Sequence, residues 1–100
     1  NTNAASVERL SLADGSRVDV MRILDFGVLP KYRGAGIEER LLGIFDSIAC
    51  ANGCRHIISE LADMRDDSLE RQKRVFAGCG FDVVYNGRTR FSGWVARKSL

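Results

Sequence analysis

Apolar residues recur at every second position over Val18, Val20, Leu24, Phe26 and Val28, with Arg22 interrupting the series. That period is the mark of a β-strand. The alternate positions (Asp19, Met21, Ile23, Asp25 and Gly27) become largely apolar toward the end, so the strand is expected to be central in its sheet. An earlier strand begins near Val7, and Asp14-Gly15 between the two suits the positive φ angles of a tight hairpin turn. Pro30, the only proline, ends the second strand because it has no N–H to give to a ladder.

The period then changes. Ile37, Leu41, Ile44, Phe45 and Ile48 recur at helical spacing, and Asn52-Gly53 supplies a left-handed stop. Cys54 to Leu61 reads as the next strand, which makes strand, helix and strand a right-handed parallel unit. Asp67, with Glu70 three residues on, resembles a capping box. The helix it opens turns Leu69, Val75, Phe76 and Cys79 inward and stops at Gly78 to Gly80. Phe81 to Lys98 reads as a closing hairpin that turns near Asn86-Gly87 and carries Trp94 and Val95 in its last strand. The order β-β-α-β-α-β-β predicts an α/β fold, a mixed sheet covered by helices, forming a single domain over residues 1–100.

Composition narrows the classes of function. Hydrophobic residues at 45% and charged residues at 28% are ordinary for a folded domain. The net charge is +2, and basic residues thicken only at Arg88, Arg90, Arg97 and Lys98, which argues against nucleic acid as the partner. Cys50, Cys54 and Cys79 with the single His56 lack the spacing of a zinc site, so no metal is expected. The cysteines read as small core residues in a reducing compartment, and the expected location is cytoplasmic. No apolar run approaches the ~20 residues that cross a membrane. The start, Asn1 to Ser6, is polar and unlike a secretory leader.

The chemistry concentrates in the junction from Val28 to Ile37, which leaves a buried strand and enters a helix. A helix's first turn presents unpaired N–H groups and roughly half a positive charge. Gly34 and Gly36 remove side chains that would hold an anion away, and Lys31 and Arg33 add positive charge. No Lys-Ser/Thr follows, as a nucleotide P-loop would require, and Glu39 stands where a dinucleotide fingerprint would have its third glycine. Taken alone, the two glycines fit an anion site and a plain tight turn equally well.

The run FGVLPKYRGAGIEERLL resembles the acetyl-CoA-binding motif of the GNAT superfamily of N-acyltransferases, written Arg/Gln-x-x-Gly-x-Gly/Ala after a strand ending Val-x-Pro. CRHIISEL resembles that family's following strand, FAGCGF its Tyr-x-x-x-Gly-Phe segment, and WVARKSL its closing strand. The resemblance covers about Arg17 to Leu100. It implies a mixed, mostly antiparallel sheet with a central parallel strand pair. It also implies acetyl transfer from acetyl-CoA to a primary amine, on a small molecule or a peptide, by direct attack. Phe26, Gly27 and Val28 would bond the pantetheine arm through their backbone. Arg33, Gly34, Ala35, Gly36 and Ile37 would cradle the pyrophosphate, with Glu38 at the motif's last position. The Val28 N–H would polarise the thioester, and Asp25 and Glu60 are the candidate catalytic carboxylates.

Three positions depart from the family pattern. Glu38 replaces the last Gly/Ala; turned outward it leaves room for CoA, and turned inward it occupies the site itself. Phe76 replaces the tyrosine that protonates the leaving thiolate, and Leu69 replaces an asparagine. The family's first strand and two following helices have no counterpart before Val7, which leaves a sheet edge that a second copy would cover as a homodimer, or that a part of the protein outside this sequence would cover. The alternative reading is a GNAT-like binding or interaction module that holds CoA weakly or not at all.

Overall fold

Asp14 accepts hydrogen bonds from the Ser16 hydroxyl (2.6 Å) and the Ser16 N–H (2.9 Å), and Gly15 adopts φ 87°. The same bonds, the hydroxyl's first, hold the Asp14 carboxyl below the usual carboxylate range. This turn joins strand β1 (Asn3–Ser11) to strand β2 (Arg17–Phe26), as the Asp-Gly pair predicts. The computed structural model describes residues 3–100, and Asn1 and Thr2 of the polar start lie outside it. After β2 come a 3-10 turn (Pro30–Tyr32), helix α1 (Ile37–Ala51) and strand β3 (His56–Glu60). Helix α2 (Leu69–Gly78), β4 (Asp82–Tyr85) and β5 (Trp94–Ser99) complete the described chain.

The strands form one sheet in the order β1-β2-β3-β5-β4. β2 and β3 are the parallel pair, and every other neighbour is antiparallel. Both helices pack on the face that carries Met21, Ile23, Ile57 and Ala96. The opposite face carries Arg22, which bridges Glu8 on β1 (3.2 Å) and Glu60 on β3 (3.4 Å). Phe26 meets Phe45 edge-on at 6.3 Å and Phe76 at 5.6 Å, and Phe76 meets Phe81 at 5.1 Å. These rings weld both helices to the sheet.

Three local expectations are corrected. First, α1 buries Glu38, Leu42, Phe45 and Ala49, whereas Ile44 and Ile48 are 54% and 45% exposed. The expected and the observed stripe share Phe45 and lie side by side on the helix; Leu42 and Ala49 complete the buried one, and the small alanine allows close approach to the sheet. Second, α2 is capped by Ser68, whose hydroxyl accepts from Arg71 N–H at 3.2 Å, and not by Asp67. Leu69, Val75, Phe76 and Cys79 do turn toward the core. Third, Ala4 pairs with Asp25 and Ala5 with Ile23, so Leu24 is an extra residue in β2. A bulge of one residue reverses the alternation beyond it. Phe26 therefore joins Met21 and Ile23 against the helices, and Asp25 becomes exposed.

Candidate active site between the parting strands

The parallel ladder runs from Val20–His56 to Ile23–Ser59 and stops there, although β2 continues to Phe26. The bulge at Leu24 falls at the same level and turns β2 away from its neighbour. Between the parted strands opens a cleft of about 430 Å³. Leu24 to Gly27 form one wall, Ser59 to Ala62 another, and α2 contributes Arg71, Gln72, Val75 and Phe76. A strand edge without a partner, facing a cleft, offers backbone groups to an extended ligand.

The glycine loop stands beside this opening. Gly34 and Gly36 adopt φ 85° and 77°, which side chains other than glycine rarely tolerate. A Cβ on either would meet nothing within 4 Å, so the loop borders open space. Gly36 is the N-cap of α1 and offers no side chain to the first-turn N–H groups. Arg33 folds back, its Nε donating to Val28 O (2.9 Å) and its Nη1 to Asp66 O (2.6 Å). Phe26, Gly27, Arg33 and Glu38 line the cleft, whereas Val28, Gly34, Ala35, Gly36 and Ile37 lie outside its walls.

Glu38 points inward and is 6% exposed. Its carboxylate pairs with the Arg71 guanidinium across the cleft. Arg71 Nη1 also holds Asp67 Oδ1 at 2.9 Å, and Asp67 Oδ2 lies 3.9 Å from Arg33 Nη2. Burial works against the Arg71 charge, but its hydrogen bonds to Glu38 and Asp67 outweigh that and raise its pKa further. Gln72 ties the next loop down, donating to Ala62 O (2.6 Å) and Asp67 O (2.9 Å).

Asp25 and Glu60 both line the cleft, from opposite strands. Glu60 is held by Arg22; among the described residues no hydrogen bond or ion pair holds the Asp25 side chain. Phe76 is buried and can only pack. Tyr85 is 65% exposed, meets Trp94 at a tilt of 56° and does not line the cleft, so its hydroxyl does not stand in for the tyrosine that Phe76 replaces. Sequence reasoning missed Arg71, Asp67 and Gln72 as cleft residues. The available signal was Glu38 itself: a carboxylate turned inward there needs a cation facing it.

Two solved structures share this architecture. An IAA acetyltransferase from Bacillus cereus superposes with a TM-score of 0.63 at 14% identity, covering 97% of this chain and 100% of that one. A protein from Agrobacterium tumefaciens assigned to the acetyltransferases gives 0.60 at 16% identity, covering 98% of this chain and 76% of that one. The chain has the fold of the GNAT acetyltransferases. No family model and no curated protein sequence matches it. Within this GNAT fold the parted strands, the bulge and the glycine loop all gather at one end of the parallel pair. Among the described residues no cluster of side chains could hold a metal ion, and no helix is long and apolar enough to cross a membrane.

Proposed function

We propose that this chain is an acyltransferase that moves acetyl from acetyl-CoA to a primary amine by direct attack. The observation that carries the reading is the parting of β2 from β3 beside a glycine loop at a helix start. The open backbone at Phe26, where β2 ends, and through Gly27 and Val28 suits the amide-bearing pantetheine arm, and the loop and helix start from Arg33 to Ile37 suit the pyrophosphate. Bound acetyl-CoA supplies the activated acyl group. Asp25, exposed at the cleft and unengaged, takes the proton from the amine, directly or through water, and the Val28 N–H polarises the carbonyl. Glu60 is the second candidate base, restrained by Arg22. Phe76, standing where the family has its tyrosine, cannot protonate the leaving thiolate.

The Glu38–Arg71 pair favours a second reading, a GNAT-fold module whose cofactor groove is filled by its own side chains. Calorimetric titration with acetyl-CoA, with ATP as control, separates the two. Micromolar binding of acetyl-CoA supports the acyltransferase; silence at millimolar ligand leaves the module. The reading also includes a homodimer that covers the free edge of β1, whose outer backbone groups pair with no strand among the described residues. Sedimentation equilibrium giving only monomer would remove that part alone.

A further inference from the structure

Four ionised side chains cross the cleft in alternating sign: Arg33, Asp67, Arg71 and Glu38. They come from the α1 loop and first turn and from the α2 start, and none has a side chain more than 22% exposed. Two cations and two carboxylates leave the set neutral. A buried ion pair used only to join two helices could be replaced by apolar residues at no loss. These charges instead stand beside the glycine loop, at the point where the extended edge of β2 meets the helix start.

We propose that the Glu38 carboxylate is a displaceable plug, and that a diphosphate-bearing acyl thioester enters by replacing it with phosphate on Arg71. This rests on the acetyl-CoA reading and names the residue that the cofactor must win. The planar guanidinium fork of arginine binds a phosphate as readily as a carboxylate, often through two parallel hydrogen bonds. The exchange does not strand Arg71, because Asp67 keeps hold of Nη1 while Nη2 changes partner. Nor is Glu38 stranded: on the first turn of α1 it remains near the positive end of the helix dipole as it swings toward solvent. The loop accommodates the arriving anion, since its glycines border open space. Arg71 is thus a specificity residue for the diphosphate, the part of the ligand that competes with Glu38 for the guanidinium.

The test compares acetyl-CoA with acetyl-pantetheine, which has the same acyl arm and no diphosphate, by calorimetry on wild type, Glu38→Gln and Glu38→Gln/Arg71→Gln. Arg71→Gln alone would leave a buried carboxylate unpaired, so the double variant takes its place, with thermal melting to confirm that it folds. Removing the competing carboxylate should tighten acetyl-CoA by about tenfold, the scale of one charge-assisted hydrogen bond, and acetyl-pantetheine by less than about twofold. The double variant should lose that gain for acetyl-CoA only. If wild type binds acetyl-CoA and Glu38→Gln matches it, or if both ligands gain equally, the plug is wrong and the cofactor reading stands. If neither wild type nor Glu38→Gln binds acetyl-CoA, both fall together.

Discussion

β2 running into α1 and β3 running into α2 are the same construction, a strand ending at the cleft and a helix starting beside it. They are finished in opposite ways. At the α2 start, Ser68 Oγ accepts from Arg71 N–H and Asp63 Oδ1 accepts from Leu69 N–H at 3.0 Å. Gln72 closes the loop behind them, and Glu60 at the strand end is held by Arg22. At the α1 start the cap is Gly36, which has no side chain, and Asp25 before it has no side-chain partner among the described residues. A helix has four N–H groups to satisfy at its start. Side chains do that work at α2, and the backbone of α1 is left presented. The α2 start is therefore tied down by its own side chains, with the Arg71 guanidinium reaching across the cleft, whereas the α1 start keeps its backbone free for the ligand of the proposed function.

The sharpest way to break this contrast is to neutralise each half's carboxylate. Asp25→Asn should lower kcat by about 10²- to 10⁴-fold, the usual worth of a general base, while acetyl-CoA affinity holds. Glu60→Gln should cost less than about tenfold in rate and under about 1 kcal/mol in stability, because its partly exposed pair with Arg22 is weak. Steady-state kinetics on both variants decide the matter. A larger rate loss in Glu60→Gln would exchange the roles of the two halves.

The next effect concerns the glycine cap. Gly36→Val places a branched side chain at φ 77°, which should destabilise the fold by about 1–2 kcal/mol. It should also weaken acetyl-CoA by about tenfold or more, since the anion's approach to the N–H groups is then crowded. Gly53, at the far end of α1 with φ 70°, is the control. Gly53→Val should bring a similar stability loss in denaturant titration and no change in affinity. Equal affinity losses from both would mean that only strain matters and that the α1 start is not a binding surface.

The same contrast explains what was legible in the sequence. Strand and helix periods, the Asp14-Gly15 turn and the Gly78–Gly80 stop are local properties, so the element order and the parallel pair could be read from them. The glycine loop was legible too, because glycine at positive φ leaves a direct mark in composition. The bulge at Leu24 was not: no residue type announces an extra residue in a strand, and it moved Phe26 and Asp25 to opposite faces from those that alternation assigns. The inward face of α1 was missed because Leu42 and Ala49 are chosen by what they meet on the sheet, whereas Ile44 and Ile48 match the helical period equally well. The charge set around Arg71 was missed because Glu38 and Arg71 are 33 residues apart in the chain and meet only when α1 and α2 are docked.

The smallest predicted effect lies in the finished half. Ser68→Ala removes the hydroxyl that accepts from Arg71 N–H and should cost about 1 kcal/mol, the common worth of such a cap. For a chain of this size that is a fall of about 4–8 °C in Tm. The lost acceptor only partly undoes the helix start, because Asp63 still holds the Leu69 N–H and Asp67 still pairs with the Arg71 side chain. Acetyl-CoA affinity should therefore stay within about a factor of two of wild type, far less than one charge-assisted contact is worth. Thermal melting and calorimetry on one preparation read both quantities. A Tm shift without an affinity shift means that the Ser68 cap holds the helix together and does not position Arg71 for the ligand. An affinity loss that outruns the Tm shift would instead mean that the Ser68 cap is what positions Arg71 for the ligand.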